Sequence, residues 1–314
     1  MSRIAIIDLG TNTFNLLIAE LSPEHTYKIL YKNKVVSKLG EGGINIGLIL
    51  PVPFQRGIDA LKTLQSFIRL YEVETTYAYA TSAIRSAQNA DEFIITAEKE
   101  TGIRIEVISG DREAELIYFG VRAAVELYDT PSLIMDIGGG SAEFIIANKD
   151  LILWKKSFPL GAARLLERFH ESDPIAPVEK EELTRYLLAE LAPLTEAVEK
   201  HPVTELIGAS GSFDSLAEIL SHKYDSVGML SNKTEYTFNL KDSNLVFHEI
   251  IRSSRQERLS MKGLIEMRVD MMVVSAIFIH LIILHLNLPK MRLSTYSLKE
   301  GALWELVHPS LAES

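Results

Sequence analysis

"LIMDIGGGSAEFII", residues 133–146, places an apolar run, one Asp, three glycines and a Ser ahead of a second apolar run. The flanking residues alternate as strands do, so the glycines turn a hairpin. A dinucleotide-binding G-x-G-x-x-G would instead close a strand and open a helix, and this stretch does not fit that design. A related pattern fills residues 4–20, "IAIIDLGTNTFNLLIAE". Both stretches run from an apolar lead-in through Asp-Leu/Ile-Gly and small or hydroxyl residues to a further apolar run.

A glycine turn exposes backbone N–H groups that can converge on phosphate oxygens. An Asp just before it repels phosphate, but can hold a divalent cation or a water that touches phosphate. Two such hairpins facing each other across a cleft would grip a phosphate chain from both sides. A single one would read equally well as a tight hairpin.

With 314 residues, 47% hydrophobic and 24% charged, the composition is that of an ordinary globular chain large enough for two domains. There is no cysteine, which excludes disulfides and thiolate metal sites. The start "MSRIAIIDLG" enters a strand directly and lacks a signal-peptide layout, an expectation of cytoplasmic location. A net charge of −10 disfavours a nucleic-acid or anionic-membrane surface. An anionic substrate would then need local Arg, backbone N–H groups or a metal. Residues 271–288, "MMVVSAIFIHLIILHLNL", reach the lower limit of a bilayer span, but His280 and His285 interrupt them. They read as a helix buried at a domain centre, with both histidines in the core or at a cleft edge.

Strands and helices alternate along the chain, which indicates α/β architecture. Strand-like runs cover 27–40, 75–81 and 103–109, and a Gly-rich loop covers 40–47. Helical stripes cover 54–71 and 111–127, and a third helix has Asn89 as its N-cap and Gly102 as its stop. Beyond a boundary near residue 124, helices are expected at 178–200 with a break at Pro193, at 241–254, at 270–287 and at 298–307. Strands are expected at 205–212 and 291–297. The expected domains are 1–124 and 125–314, with the last helix, about 300–314, a candidate to pack back onto the first.

At this point the chain resembles a family. "IDLGTNTFNLLIAE", "ATSAIRSAQN" (80–89), "VISGDREAELIYFGV" (107–121), "IMDIGGGSAEFII", "FPLGAARLLERF" (158–169), "GASGS" (208–212) and "GLIEMR" (263–268) look like the ordered motifs of the exopolyphosphatase / guanosine pentaphosphate phosphatase family. That family belongs to the actin / sugar-kinase / Hsp70 superfamily. The resemblance covers nearly the whole chain and implies two ribonuclease-H-like (actin-like ATPase) domains flanking an interdomain cleft.

The resemblance implies that Glu113, in "SGDREA", is the general base that activates water. A carboxylate in a helix's first turn is favoured by the helix amides, though many surface acids sit there for that reason alone. It further implies that Asp8, Asp136 and Glu143 serve Mg²⁺ and that Arg85 and Arg268 contact phosphate. Gly10, Thr11, Asn12 and Thr13, with Gly138, Gly139, Gly140 and Ser141, would supply amide and hydroxyl donors. Guanidinium groups suit phosphate because they are always charged and bind its oxygens in pairs.

Four residues depart from the family pattern. Arg112 stands where an acid is common, adding positive charge near the water. Ala142 replaces a Thr, and Ser297 and Lys299 replace a Gly and an Arg. The length resembles the short two-domain form, from which an open cleft and a preference for short polyphosphate are expected. The expected activity is Mg²⁺-dependent release of terminal phosphate from inorganic polyphosphate. Alternatives are guanosine pentaphosphate hydrolysis and a non-catalytic phosphate or nucleotide sensor. ATP or a guanosine nucleotide is a further expected ligand through "GASGS", and a homodimer is the family expectation.

Overall fold

Two runs of strands separated by helices assemble the chain, and the computed structural model describes residues 2–24, 26–224 and 233–308. They fall into two compact units, one comprising the chain up to Ala123 together with the segment from Leu298 on, the other Ala124–Ser297.

In the first unit the strands are β1 (Ser2–Leu9), β2 (Thr13–Leu21), β3 (Tyr27–Val36), β4 (Thr75–Ala80) and β5 (Ile105–Val107). They form a sheet in the order β3-β2-β1-β4-β5. The first three are antiparallel neighbours and β4 and β5 join in parallel. In the second unit, β6 (Ser132–Ile137), β7 (Ala142–Ala147) and β8 (Ile152–Phe158) repeat that antiparallel meander. There β9 (Leu206–Ala209) and β11 (Met291–Ser294) occupy the parallel places, and β10 (Glu235–Phe238) adds an antiparallel edge. Each unit therefore has a ribonuclease-H-like sheet, with the Asp-Gly stretch as its first hairpin.

Every residue of β6 and β7 is buried, so side chains on both faces of these strands are shielded from solvent. The helix Met271–His285 is the apolar centre of the second unit: Met271 through Ile279 are all buried. It is too short to span a bilayer, and among the described residues no helix is long and apolar enough to do so. His280 is half-buried and stacks on Phe247 at 5.4 Å. Of the two expected places, His285 does not take the core: it is exposed, bonded to Thr195 Oγ1 at 3.0 Å.

Other boundaries shift for local reasons. The stretch 103–109 supplies only three strand residues, and Ser109 accepts the Glu113 amide that starts the helix Gly110–Ala124. Pro193 does open a new helix, Ala192–Lys200, after Pro177–Glu190 ends. Gly102 ends its helix at φ +71° with its amide on Glu98 O. Asn89 does not cap that helix through its side chain. Its Oδ1 accepts from Ile49 N and its Nδ2 donates to Ile49 O, both at 2.9 Å, so it ties the backbone just past the Gly-rich loop instead. The helices Ala162–Phe169 and Gly211–Tyr224 were not anticipated, since each opens on glycine and small residues that read as turn.

The helix Leu298–Val307 is seated on its unit by charge and by close approach. Buried Glu300 pairs with Lys32 at 2.9 Å, Glu305 binds Arg112, and Trp304 stacks on Phe119 at 5.0 Å. Positions 309–314 of the expected last helix lie outside the described residues. A Cβ on Gly301 would fall 1.7 Å from Leu116 O and 2.8 Å from Gly120 N. Both are backbone atoms that cannot rotate away. Gly301→Ala should therefore cost about 1–3 kcal/mol, read as a lower urea midpoint at constant m value. An unchanged midpoint would mean that this helix does not approach so closely.

Candidate active site

The two Asp-Gly hairpins have the same construction. Gly10 N donates to Thr13 O at 3.1 Å, and Gly138 N donates to Ser141 O at 3.0 Å. Leu9 faces Phe14 and Ile137 faces Ala142 as the last strand pairs. One step back, Asp8 lies opposite Asn15, and Asp136 opposite Glu143.

These closing bonds correct one expectation. The amides of Gly10 and Gly138 are used inside their own hairpins, so these two glycines shape the turns rather than donate to phosphate. The assignment to phosphate then rests on the amides of Gly139, Gly140 and Ser141, on those of Thr11, Asn12 and Thr13, and on the hydroxyls among them.

Other segments hold the carbonyls of both turns. In the second unit, Ala162 N donates to Gly138 O at 2.9 Å and Ala163 N to Gly139 O at 2.8 Å. Arg164 Nε reaches Gly140 O at 3.1 Å. The start of the helix Ala162–Phe169, within the "FPLGAARLLERF" stretch, thus clamps the glycine turn. In the first unit, Gly40 N donates to Thr11 O, and Ser37 N and Lys38 N both donate to Asn12 O. The Ser37 hydroxyl is buried with no partner among the described residues.

Asp136 and Glu143 are 6% and 1% exposed, two carboxylates opposed across one ladder. Ser297 Oγ donates to Asp136 Oδ2 at 2.5 Å, and Ser157 Oγ donates to Glu143 Oε1 at 2.6 Å. In the first unit Asn15 Nδ2 donates to Asp8 Oδ2 at 3.0 Å. Among the described residues no three or more His, Cys, Asp or Glu side chains gather as a metal site. Mg²⁺ commonly takes one or two carboxylates and completes its shell with water and substrate phosphate, so the hard oxygens of Asp136 and Glu143 fit it.

Glu113 is 7% exposed in the first turn of the helix Gly110–Ala124. Arg85, at the end of the short helix Ser82–Arg85, donates through Nη1 to Glu113 Oε2 at 2.8 Å and to Ile108 O at 3.1 Å. Arg85 thus fixes the carboxylate. Arg112 does not carry its charge toward Glu113. It binds Glu305 through both terminal nitrogens and Glu115 at 3.3 Å, and the Glu305 bond holds its pKa above the ordinary arginine value.

Arg268 is 8% exposed, and burial pushes its pKa down against the opposing fields of Asp214 and Asp136. Its guanidinium lies over Gly211, where a Cβ would come within 1.9 Å of Nη2. The Phe213 ring covers Gly208 in the same way, 2.0 Å from where a Cβ would stand. The glycines of "GASGS" are therefore packed against the chain's own side chains. Ser157 escaped sequence reasoning entirely. Gly161 and Arg164 lay inside a quoted motif without a role, and only the clamp supplies one.

A sequence profile of the Ppx/GppA phosphatase family matches residues 17–310. The chain belongs to this family. The Ppx/GppA homologues are phosphoanhydride hydrolases, and this chain is an enzyme of that class. A solved exopolyphosphatase from Cytophaga hutchinsonii is 41% identical, with a TM-score of 0.94 over 98% of each chain. A Haemophilus influenzae protein named provisionally as an exopolyphosphatase is 26% identical over 97% of this chain and 91% of its own length. The Aquifex aeolicus Ppx/GppA structure, 24% identical with a TM-score of 0.79 over 98% of each chain, shares the fold.

The clamp on the glycine turn generates a test. A Cβ on Gly161 would stand 2.4 Å from Gly139 C and O and from Gly140 C, all backbone. Gly161→Ala must displace the turn. Phosphoanhydride turnover should fall on the order of 10²-fold, the scale of a 1 Å misplacement. The stability cost should stay at about 1–3 kcal/mol. Stability loss with normal kcat/KM would separate this turn from the chemistry.

Proposed function

We propose that this chain is an exopolyphosphatase, hydrolysing the terminal phosphoanhydride bond of inorganic polyphosphate with the help of Mg²⁺. The observation that carries the reading is the buried pair Asp136 and Glu143, opposed in register beside a clamped glycine turn. Family membership supports it, and so does the name of the 41% identical relative. Glu113 takes the proton of the attacking water, and Arg85 keeps its carboxylate oriented. Asp136 and Glu143 would hold the cation, directly or through water, and Asp8 is the carboxylate of the first hairpin assigned to metal. Bound Mg²⁺ supplies charge neutralisation at the phosphoryl oxygens. Arg85 and Arg268, the hydroxyls of Thr11, Thr13 and Ser141, and the amides of residues 11–13 and 139–141 bind phosphate.

Polyphosphate is preferred over guanosine pentaphosphate or ATP because the 41% identical relative is named as an exopolyphosphatase. A cytoplasmic homodimer belongs to the same proposal.

Phosphate release from short polyphosphate, long polyphosphate, guanosine pentaphosphate and ATP, measured side by side, tests the substrate. Higher kcat/KM on either nucleotide would overturn the assignment. Activity should vanish on chelation and return with Mg²⁺; full turnover after rigorous chelation would remove the metal.

Glu113→Gln keeps size and hydrogen bonding but loses the basic oxygen. Its kcat should fall by about 10²–10⁴-fold with KM within a few-fold. Asp111, exposed in the same helical turn, serves as control through Asp111→Asn. Equal losses in the two variants would place the base elsewhere. Near-normal turnover in Glu113→Gln, at a stability cost of about 0.3–1 kcal/mol, would leave Glu113 a helix-start residue only.

A further inference from the structure

Across β6, β7 and β8 one row of the sheet reads Asp136, Glu143, Ser157: Asp136 pairs with Glu143, and Glu143 pairs with Ser157. The Ser157 hydroxyl therefore reaches Glu143 Oε1 as its immediate cross-strand neighbour, at 2.6 Å. At the other end of the row Ser297, beyond the end of β11, donates to Asp136 Oδ2 at 2.5 Å. A hydroxyl thus brackets each side of the carboxylate pair.

Like charges directly opposed on a ladder repel, and burial sharpens the cost. Other buried carboxylates of the chain accept from cations. Glu113 is bonded to Arg85, Glu205 to Arg292 and Glu300 to Lys32. A hydroxyl differs from these cationic partners in kind. It satisfies one carboxylate oxygen and fixes the plane of the group without adding a charge, and at Asp136 it acts beside the field of Arg268.

We infer that Ser157 and Ser297 are positioning residues, which orient Glu143 and Asp136 for a divalent cation. The inference rests on the metal assignment proposed above. It gives Ser297, a departure from the family pattern, a role on the metal side of the reaction rather than in substrate grip. Ser157 acts through Glu143 and Ser297 through Asp136.

The test is metal binding, read without turnover. Full-length protein freed of metal is titrated with Mn²⁺ and the free ion followed by electron paramagnetic resonance, with Mg²⁺ as competitor. Ser157→Ala and Ser297→Ala should each weaken binding by about 10–100-fold, the usual effect of removing a group that orients a ligand. Ser157→Thr and Ser297→Thr, which restore the hydroxyl, should return it to within a few-fold of wild type. Urea midpoints of the metal-free variants report folding separately.

Wild-type affinity in both Ala variants, with lower midpoints, would show that the two hydroxyls serve stability alone and would overturn the inference. Weakened binding that Thr does not restore would overturn it as well. Wild-type protein that binds no Mn²⁺, or binding unchanged in Asp136→Asn and Glu143→Gln, would remove the metal assignment itself and this inference with it. That result differs from a normal wild type with normal Ala variants, which sinks only the positioning role.

Discussion

The register of the β6–β7 hairpin is the constraint on which the rest of the second unit turns. Side chains alternate along a strand with a period of two, so a slip of one residue would send Asp136 and Glu143 to opposite faces. The turn between them must therefore have one length and one shape. The Gly138–Ser141 bond sets the length, and the clamp from the helix Ala162–Phe169 sets the shape. Gly161 is required because that helix start lies against the turn's backbone. The β1–β2 hairpin repeats the geometry with Asn15 where Glu143 stands. The two hairpins thus share a frame while differing in charge, two carboxylates in one and a carboxylate with an amide in the other.

Buried charge is handled differently at the two ends of the second sheet. At the start of β9, Glu205 accepts from Arg292 Nε at 2.9 Å and from Ser132 Oγ at 2.9 Å, with Lys290 at 3.1 Å. Burial pushes the Glu205 pKa up, but these donors outweigh it and hold it below the ordinary value. Removing one partner of such a pair leaves a buried charge, at a cost of about 3–5 kcal/mol. This end is closed by its own ions. At the turn end, Asp136 and Glu143 receive hydroxyl bonds from Ser297 and Ser157, and Arg268 adds its field at Asp136.

Much of this architecture was legible because it is local. An Asp-Gly turn between alternating apolar runs specifies a hairpin within about a dozen residues. The left-handed stop at Gly102 and the new helix at Pro193 also follow from a few neighbouring residues. Helices that open on glycine escaped, since "GSF" and "GAAR" carry turn chemistry until a sheet packs against them. Asn89 has the side chain of a helix cap, yet two bonds to Ile49 outweigh the local preference.

By itself the sequence determined the doubled hairpin, the α/β alternation and the residue types able to meet phosphate and a hard cation. These follow from periods of two and 3.6 residues and from the chemistry of single side chains. Only the tertiary structure decided how those side chains are employed. It bound Arg112 to Glu305, 193 residues away, and set Ser297 on Asp136, 161 residues away. It also turned the amides of Gly10 and Gly138 inward. Hydrogen bonds and ion pairs reach only a few ångströms, so a contact across such separations depends on how the whole sheet and its helices pack, which no local pattern encodes.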